Sequence, residues 1–347
     1  MAGKMTLRPA WLPLSLRIDL RAVAVSLGLC CLALAGIVAN VGYGEYPVSP
    51  LDVVRSIFGM ETGDAAHSFI VNTLRLPRAL VAVLVGAALA ISGAILQGLT
   101  RNPLAAPEIV GVNAGASLAA VTLIVAMPSI SAAYLPPAAF GGALLVAVAL
   151  YALAWRGSSS PLRLILIGIG LAAIAQAVTT FMITFGDIQE VSRALIWLTG
   201  SVYARGWEEL WAFLPWFVVL APFVVLGARH LNALGLGDEV ATGLGSRVEL
   251  TRGLLLLASV GLAGAAVATA GTVAFVGLMA PHLARQLVGP SSGSVVPTAA
   301  LVGGCLVVFA DLAGRAVLAP TEIPCGIITA ILGVPFFCYL LYRNRNK

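Results

Sequence analysis

The chain has 347 residues, of which 60% are hydrophobic and only 10% are charged, and its formal net charge is +5. A soluble domain carries about 25% charged residues because its surface faces water, so this composition excludes an ordinary soluble protein. Apolar runs of about 20 residues recur along the chain, and each can cross a hydrocarbon core of roughly 30 Å as a helix. Continuous apolar runs favour helices over a β-barrel, whose strands alternate. We therefore predict an all-α polytopic membrane protein.

The first apolar run covers residues 22–40 and follows Arg8, Arg17 and Arg21. The apolar core of a cleavable signal peptide is only about 7–15 residues long, so we interpret this run as a retained membrane helix. Nine more runs follow. The ten predicted spans cover residues 22–42, 79–98, 109–127, 137–155, 162–184, 208–227, 250–269, 272–288, 294–312 and 323–342.

Ten spans place both ends of the chain on the same side of the membrane. Most of the 20 basic residues then fall in the N-terminal segment 1–21, in the loops on that side and in the tail 343–347. Lys and Arg accumulate in cytoplasmic loops, so both termini are predicted to be cytoplasmic. Residues 22–342 form the transmembrane domain.

No energy source is evident within the chain. Lysine occurs only at Lys4 and Lys347, whereas an ATP-binding P-loop needs a lysine in the pattern G-x-x-x-x-G-K-[ST]. Ion-coupled transporters usually carry acids or histidines in mid-membrane, but here Asp311 and Glu322, near span ends, come closest. The five cysteines and three histidines form no ligand cluster, which predicts no bound metal. The chain is therefore predicted not to be an enzyme.

The sequence Arg75-Leu-Pro-Arg78 precedes the second span. Pro77 suits a first helical turn, where its missing N–H costs nothing, and arginines three residues apart lie near one another on a helix. The two side chains are therefore expected to project near one another above the membrane. Arginines that snorkel to the membrane interface are the alternative.

A glycine-rich stretch, Gly235-Leu-Gly-Asp238-Glu239-Val-Ala-Thr-Gly243-Leu-Gly245, lies between the sixth and seventh spans. Asp238 is predicted to cap a short helix, with Glu239 favourable in the first turn and a glycine ending it. Such a helix in a cytoplasmic loop, at about residues 228–249, can act as a rigid peg for a partner. An ordinary amphipathic connector is the alternative.

The last constellation begins at Asp311-Leu-Ala-Gly-Arg315, whose two charges are four residues apart and can pair on a helix. The stretch from Glu322 to Phe336 contains prolines and glycines that permit a bent or interrupted span.

These motifs together resemble the FecCD family of membrane subunits of type II ABC importers for iron–siderophores, haem and vitamin B12. The resemblance runs from about residue 20 to the end. In chain order, the segments that carry it are RLPR, VGAALAISGAILQGLTRNPLAAPEIVGVNAGAS, WLTGS, LGLGDEVATGLG, AGTVAFVGLMAPHLAR and DLAGR with EIPCGIITAILGVPFF.

The resemblance implies a permease of about ten helices in the bacterial inner membrane, paired with a second copy or a paralogue. Two separate ATPase subunits would use ATP and Mg, and a periplasmic binding protein would deliver the substrate. The chain itself would bind no cofactor and no nucleic acid, and its surface would contact lipid. An iron–siderophore is the expected substrate, since WLTGSVYARGWEELW and AGTVAFVGLMAPHLAR look most like siderophore permeases, with haem or cobalamin as alternatives.

The resemblance also implies roles for individual residues. Arg75, Arg78 and Arg315 match arginines that meet glutamates of the binding protein. Ser159, Ser160 and Pro161 fall loosely where the family has its cytoplasmic gate. The residues matching the helix that seats in the ATPase are Gly237, Asp238, Glu239, Ala241, Thr242, Gly243 and Leu244.

Transport would proceed by alternating access, driven by ATP in the partner subunits. Two other classes remain open on the residues alone. One is an ion-coupled secondary transporter, against which the lack of mid-membrane acids argues. The other is a membrane scaffold that transports nothing.

Overall fold

The computed structural model describes residues 4–7, 16–64, 66–154 and 161–344. Two short strands, β1 and β2, pair antiparallel ahead of the first helix, and helices make up most of the rest. The elements are β1 Lys4–Leu7, β2 Leu16–Asp19, α1 Leu20–Gly42, α2 Pro50–Ile57, α3 Ala66–Phe69, α4 Leu76–Thr100, α5 Val112–Val121, α6 Leu135–Ala154, α7 Pro161–Phe185, α8 Ile188–Leu198, α9 Trp207–Gly235, α10 Asp238–Gly243, α11 Val248–Ala270, α12 Val276–Val288, α13 Ser292–Val317 and α14 Cys325–Asn344.

The prediction of an all-α membrane protein is confirmed. Eight apolar helices in the described part of the chain are long enough to cross a bilayer. They are Leu20–Gly42, Ala66–Thr100, Ala132–Ala154, Leu162–Phe185, Trp207–Gly235, Val248–Ala270, Ser292–Val317 and Cys325–Arg343.

The other two predicted spans are shorter helices than the sequence suggested. The first is Val112–Ala126, which joins α5 to a π-helical turn, and the second is α12. With 13 residues, α12 is only about 20 Å long and cannot cross the hydrocarbon core alone. Irregular segments, 101–111 and 271–275, precede the two helices, so the predicted starts at residues 109 and 272 were too early.

Helix α4 lies at the centre of the bundle and is buried over most of its length. Gly86 faces the backbone carbonyl of Gly303 in α13, and Gly93 faces that of Gly277 in α12. A Cβ at either α4 glycine would overlap the facing backbone. Helices in lipid associate by such close approach, because no hydrophobic force drives them together there.

The connection between α9 and α11 is shorter than predicted. Helix α9 continues to Gly235 and α11 begins at Val248, so the predicted loop at about 228–249 is reduced to residues 236–247. Helix α10 occupies half of this connection.

Helix α4 also defines the two ends of the bundle. Arg78 lies in its first turn and Arg101 directly follows its last residue, so the two are separated by roughly 35 Å along the helix axis. We call the end that holds Arg78 the upper face. The end that holds Arg101 and α10 is the lower face.

Candidate functional site

At the upper face, Arg78 is the centre of a buried ion cluster. Its Nη2 donates to Asp311 Oδ1 at 2.7 Å and its Nε to Asp311 Oδ2 at 3.1 Å. The same guanidinium donates to both carboxylate oxygens of Glu322, at 2.8 and 3.2 Å. Arg78 is only 9% exposed and Asp311 only 2%. Since two charges are removed from water here, each depends on its partner.

Asn40 of α1 and Arg315 of α13 complete the cluster. Asn40 Nδ2 donates to Asp311 Oδ2 at 3.0 Å, and Arg315 Nη2 donates to Asn40 Oδ1 at 2.7 Å. The predicted pair of Asp311 with Arg315 is present but weak, at 3.9 Å. The stronger partner of Asp311 is Arg78, which the local spacing could not indicate.

Arg75 differs from the other two arginines predicted at this face. Its Nη1 donates to the carbonyl of Val41 at 2.9 Å, and its guanidinium packs against Gly44. No carboxylate of the described residues forms an ion pair with it. Of the three arginines, Arg75 therefore has the most freely available charge.

All three arginines line one cavity at the upper face, with a volume of about 1010 Å³. Arg193 and Arg205 also line it, whereas only two carboxylates, Glu45 and Glu322, do so. Both additional arginines have acidic neighbours, Arg193 with Glu190 at 3.2 Å and Arg205 with Glu209 at 3.6 Å. A cavity whose charged lining residues are mostly arginines attracts acidic surfaces and anions.

Two residues of the WLTGS motif, Trp197 and Ser201, line this cavity. Ser201 N–H donates to the carbonyl of Ala270 at 2.7 Å, and Gly326 N–H donates to that of Gly200 at 3.0 Å. Gly200 has a φ of +72°, and a Cβ there would lie 2.7 Å from the Thr272 backbone. The motif thus requires glycine for both the turn and the close approach.

At the lower face, α10 begins one residue earlier than a cap at Asp238 would allow. The N-cap is Gly237, with a φ of +116°, and Asp238 is the first helical residue. The prediction that Asp238 caps the helix was therefore wrong. Its carboxylate instead accepts two hydrogen bonds from Arg252 Nη2, at 2.8 and 2.9 Å, and another from Arg101.

These arginines set the charge state of Asp238. Partial burial raises its pKa, but the hydrogen bonds and positive charges of Arg252 and Arg101 outweigh that effect and lower the pKa below its ordinary value of 3.8. Arg252 itself is only 1% exposed. A buried arginine thus holds the first residue of α10 against the bundle.

The predicted coupling residues divide between two sides of α10. Asp238 and Ala241 face the bundle, and Ala241 is fully buried. Glu239, Thr242, Gly243 and Leu244 are exposed. Sequence reasoning missed the apolar surface on this side. Three exposed apolar residues lie in or next to α10: Leu236 before it, Val240 within it and Leu244 directly after it. We call these three residues the apolar stripe.

The family model for FecCD transport proteins matches residues 32–343. The chain belongs to the FecCD transport family. It is 46% identical over 323 residues to the achromobactin transport system permease protein CbrC of Dickeya dadantii. The alignment covers 93% of this chain and 92% of CbrC. It is 42% identical over 333 residues to the probable siderophore transport system permease protein YfhA of Bacillus subtilis, with 94% and 96% covered.

A solved structure of a metal-chelate type ABC transporter in an inward-facing conformation has the same fold. It superposes with a TM-score of 0.83 at 30% identity, covering 92% of this FecCD chain and 99% of the other. The ion cluster and α10 therefore lie within a permease of the ABC transporter class.

The gate residues predicted for this FecCD chain are only partly visible. Ser159 and Ser160 lie outside the described residues, and Pro161 is the first residue of α7. Their role remains a prediction.

The irregular segment 101–111 holds a buried acid that the sequence analysis did not single out. Pro107 packs against Gly277 at the start of α12. Both carboxylate oxygens of Glu108, one residue further, are buried, and no side chain in the described part of the chain forms an ion pair with them. The proximity of the two irregular segments, 101–111 and 271–275, arises from tertiary packing alone.

Proposed function

We propose that this chain is the membrane-spanning permease of an ATP-binding-cassette importer that moves an iron–siderophore complex into the cytoplasm. The main support for this proposal is membership of the FecCD family. The similarity to YfhA, a probable siderophore transport permease, supports the substrate class. The membrane would be the bacterial inner membrane. The upper face would be periplasmic, and the lower face and both termini cytoplasmic, as the distribution of basic residues predicts.

Helix α10 would be the contact with the ATPase subunits, two of which would bind ATP with Mg. The apolar stripe supports this assignment, since exposed apolar residues on and next to a short helix suit insertion into a partner's cleft. ATP binding would displace α10, and the permease would then open alternately to each side.

A second permease copy or a paralogue would cover part of α7. Only 22% of the apolar window of this helix is buried, yet Gln176 is exposed near its middle. An amide facing hydrocarbon is costly, and polar groups within a membrane usually face protein or a water-filled path. A partner at this side would remove that cost.

At the upper face, Arg75, Arg78 and Arg315 would receive acidic groups of the binding protein. Arg78 and Arg315 are largely buried in the ion cluster, so a direct ion pair would form mainly at Arg75. Exposed ion pairs contribute only about 0.2–1 kcal/mol each, so such a pair would steer and orient the binding protein more than hold it. Arg75 is the best residue to test, because Arg78→Glu would place three carboxylates together in a buried cluster. Arg75→Glu is expected to reduce uptake, with ATPase assembly unchanged.

The deciding experiment reconstitutes the permease in liposomes with its ATPase and binding protein and measures uptake of a radioactive ferric siderophore. Uptake should require ATP and should persist with a protonophore. Uptake lost with the protonophore alone would instead favour an ion-coupled transporter. Normal uptake by Arg75→Glu would refute the docking role.

A further inference from the structure

Arg101 occupies a backbone position that normally favours glycine. It follows the last residue of α4 with a φ of 53°, in the left-handed region. Side chains are disfavoured there because Cβ crowds the backbone, and helices commonly end on glycine at such a position. An arginine here is explained if its side chain makes contacts that glycine cannot.

The side chain of Arg101 joins three helix ends at the lower face. Its Nε donates to the carbonyl of Leu234, in the last turn of α9, at 2.9 Å. Its Nη2 donates to the carboxylate of Asp238, the first residue of α10. Because Arg101 itself directly follows α4, one guanidinium connects α4, α9 and α10.

Asp238 extends this connection to a fourth helix. Its carboxylate also accepts from Arg252, which is buried in the first two turns of α11. The connection between α10 and the bundle thus passes through charged side chains on α4 and α11. By contrast, the apolar stripe is exposed and available to a partner.

Helix α4 then leads directly to the upper face. Arg101 follows its last residue, and Arg78, in its first turn, is bound to Asp311 and Glu322. The helix is continuous over 25 residues and is buried between other helices, so an axial displacement at one end reaches the other.

We propose that Arg101 and Asp238 are positioning residues that transmit the displacement of α10 to α4, and through α4 to the Arg78 cluster. This inference rests on the proposed function, since it presumes that α10 is moved by an ATPase. It assigns Asp238 to the bundle side of the contact and the apolar stripe to the ATPase side.

The test variant is Arg101→Gly, which removes the side chain and also relieves the backbone at the same position. It is therefore expected to fold, because the relieved backbone offsets part of the loss of the hydrogen bonds to Leu234 and Asp238, and the melting temperature checks this. The importer should assemble and hydrolyse ATP, but iron taken up per ATP hydrolysed should fall by about tenfold, within the range of measured coupling changes. Arg101→Lys keeps the charge but offers a single point of contact. Its iron uptake per ATP should lie between those of the wild type and Arg101→Gly.

Arg229→Ala is the matched control, because Arg229 is an exposed arginine near the end of α9 at the same face. It should match the wild type in uptake per ATP. Wild-type uptake per ATP in Arg101→Gly would overturn the inference. So would loss of ATPase assembly in that variant, since Arg101 would then serve attachment rather than transmission. If the wild-type importer itself showed no ATP-dependent uptake, the proposed function would fail, and the inference with it.

Discussion

The ion cluster at the upper face allows a quantitative prediction for Asp311→Asn. This change keeps the shape of the side chain and removes its charge. Asp311 is 2% exposed and accepts hydrogen bonds from both Arg78 and Asn40. Removing one partner of a buried ion pair costs about 3–5 kcal/mol. Arg78 retains Glu322, whose side chain is 31% exposed, so we expect a loss at the lower end, about 3 kcal/mol.

The measurement is the free energy of unfolding of the purified permease, by SDS titration in mixed micelles followed by tryptophan fluorescence. Glu190→Gln is the control, because it removes a pair whose arginine, Arg193, is 68% exposed, and such pairs contribute about 0.2–1 kcal/mol. Adding Arg78→Met to Asp311→Asn should recover part of the loss, since it removes a buried cation that has lost one of its two carboxylate partners. A loss from Asp311→Asn no greater than that from Glu190→Gln would refute this reasoning.

Three further predictions concern other parts of the molecule. Gly86→Ala should destabilise the permease by about 1–3 kcal/mol in the same titration, because the added Cβ would overlap the backbone of α13. Gly28→Ala is the control, since open space surrounds Gly28, and it should be neutral or stabilising. Equal effects of the two substitutions would contradict the packing argument. Leu244→Asp should abolish co-purification of the ATPase, whereas Glu239→Gln should not, and retained binding in Leu244→Asp would exclude the apolar stripe as the contact. The pKa of Asp238 is lowered from 3.8 by its contacts with Arg252 and Arg101, so these contacts stabilise the folded protein at any pH above 3.8. This stabilisation is lost only as the pH falls through the lowered pKa. The uptake ratio of Asp238→Asn to wild type should therefore be constant between about pH 5.5 and 8, and a ratio that rises toward one at the lower pH would contradict it.

The lower face illustrates how far the sequence could predict a candidate site. Glycines at positions 235, 243 and 245 with two acids between them correctly predicted a short helix, because capping and turn preferences are local. Only the prediction that Asp238 caps this helix was wrong. Its partners, Arg101 and Arg252, come from other helix ends, and local rules carry no information about which ends meet.

At the upper face, too, the sequence predicted which residues lie together but not how their charges pair. The sequence placed Arg75, Arg78 and Arg315 at one end of the bundle, and the structure places all three around one cavity. It could not show that Arg78 is neutralised by Asp311, 233 residues further along the chain. Nor did any pattern indicate Asn40, whose amide connects Asp311 with Arg315.

By itself, the sequence determined that this chain is a helical membrane protein, because the length of an apolar run and the thickness of a bilayer can be compared directly. Its motifs, taken in order, also determined the family. Only the tertiary structure decided which charges are paired, where α5 and α12 begin, and which side of α10 is free. Those features depend on helices distant in the sequence packing together, and within apolar spans many arrangements satisfy the same hydrophobic pattern.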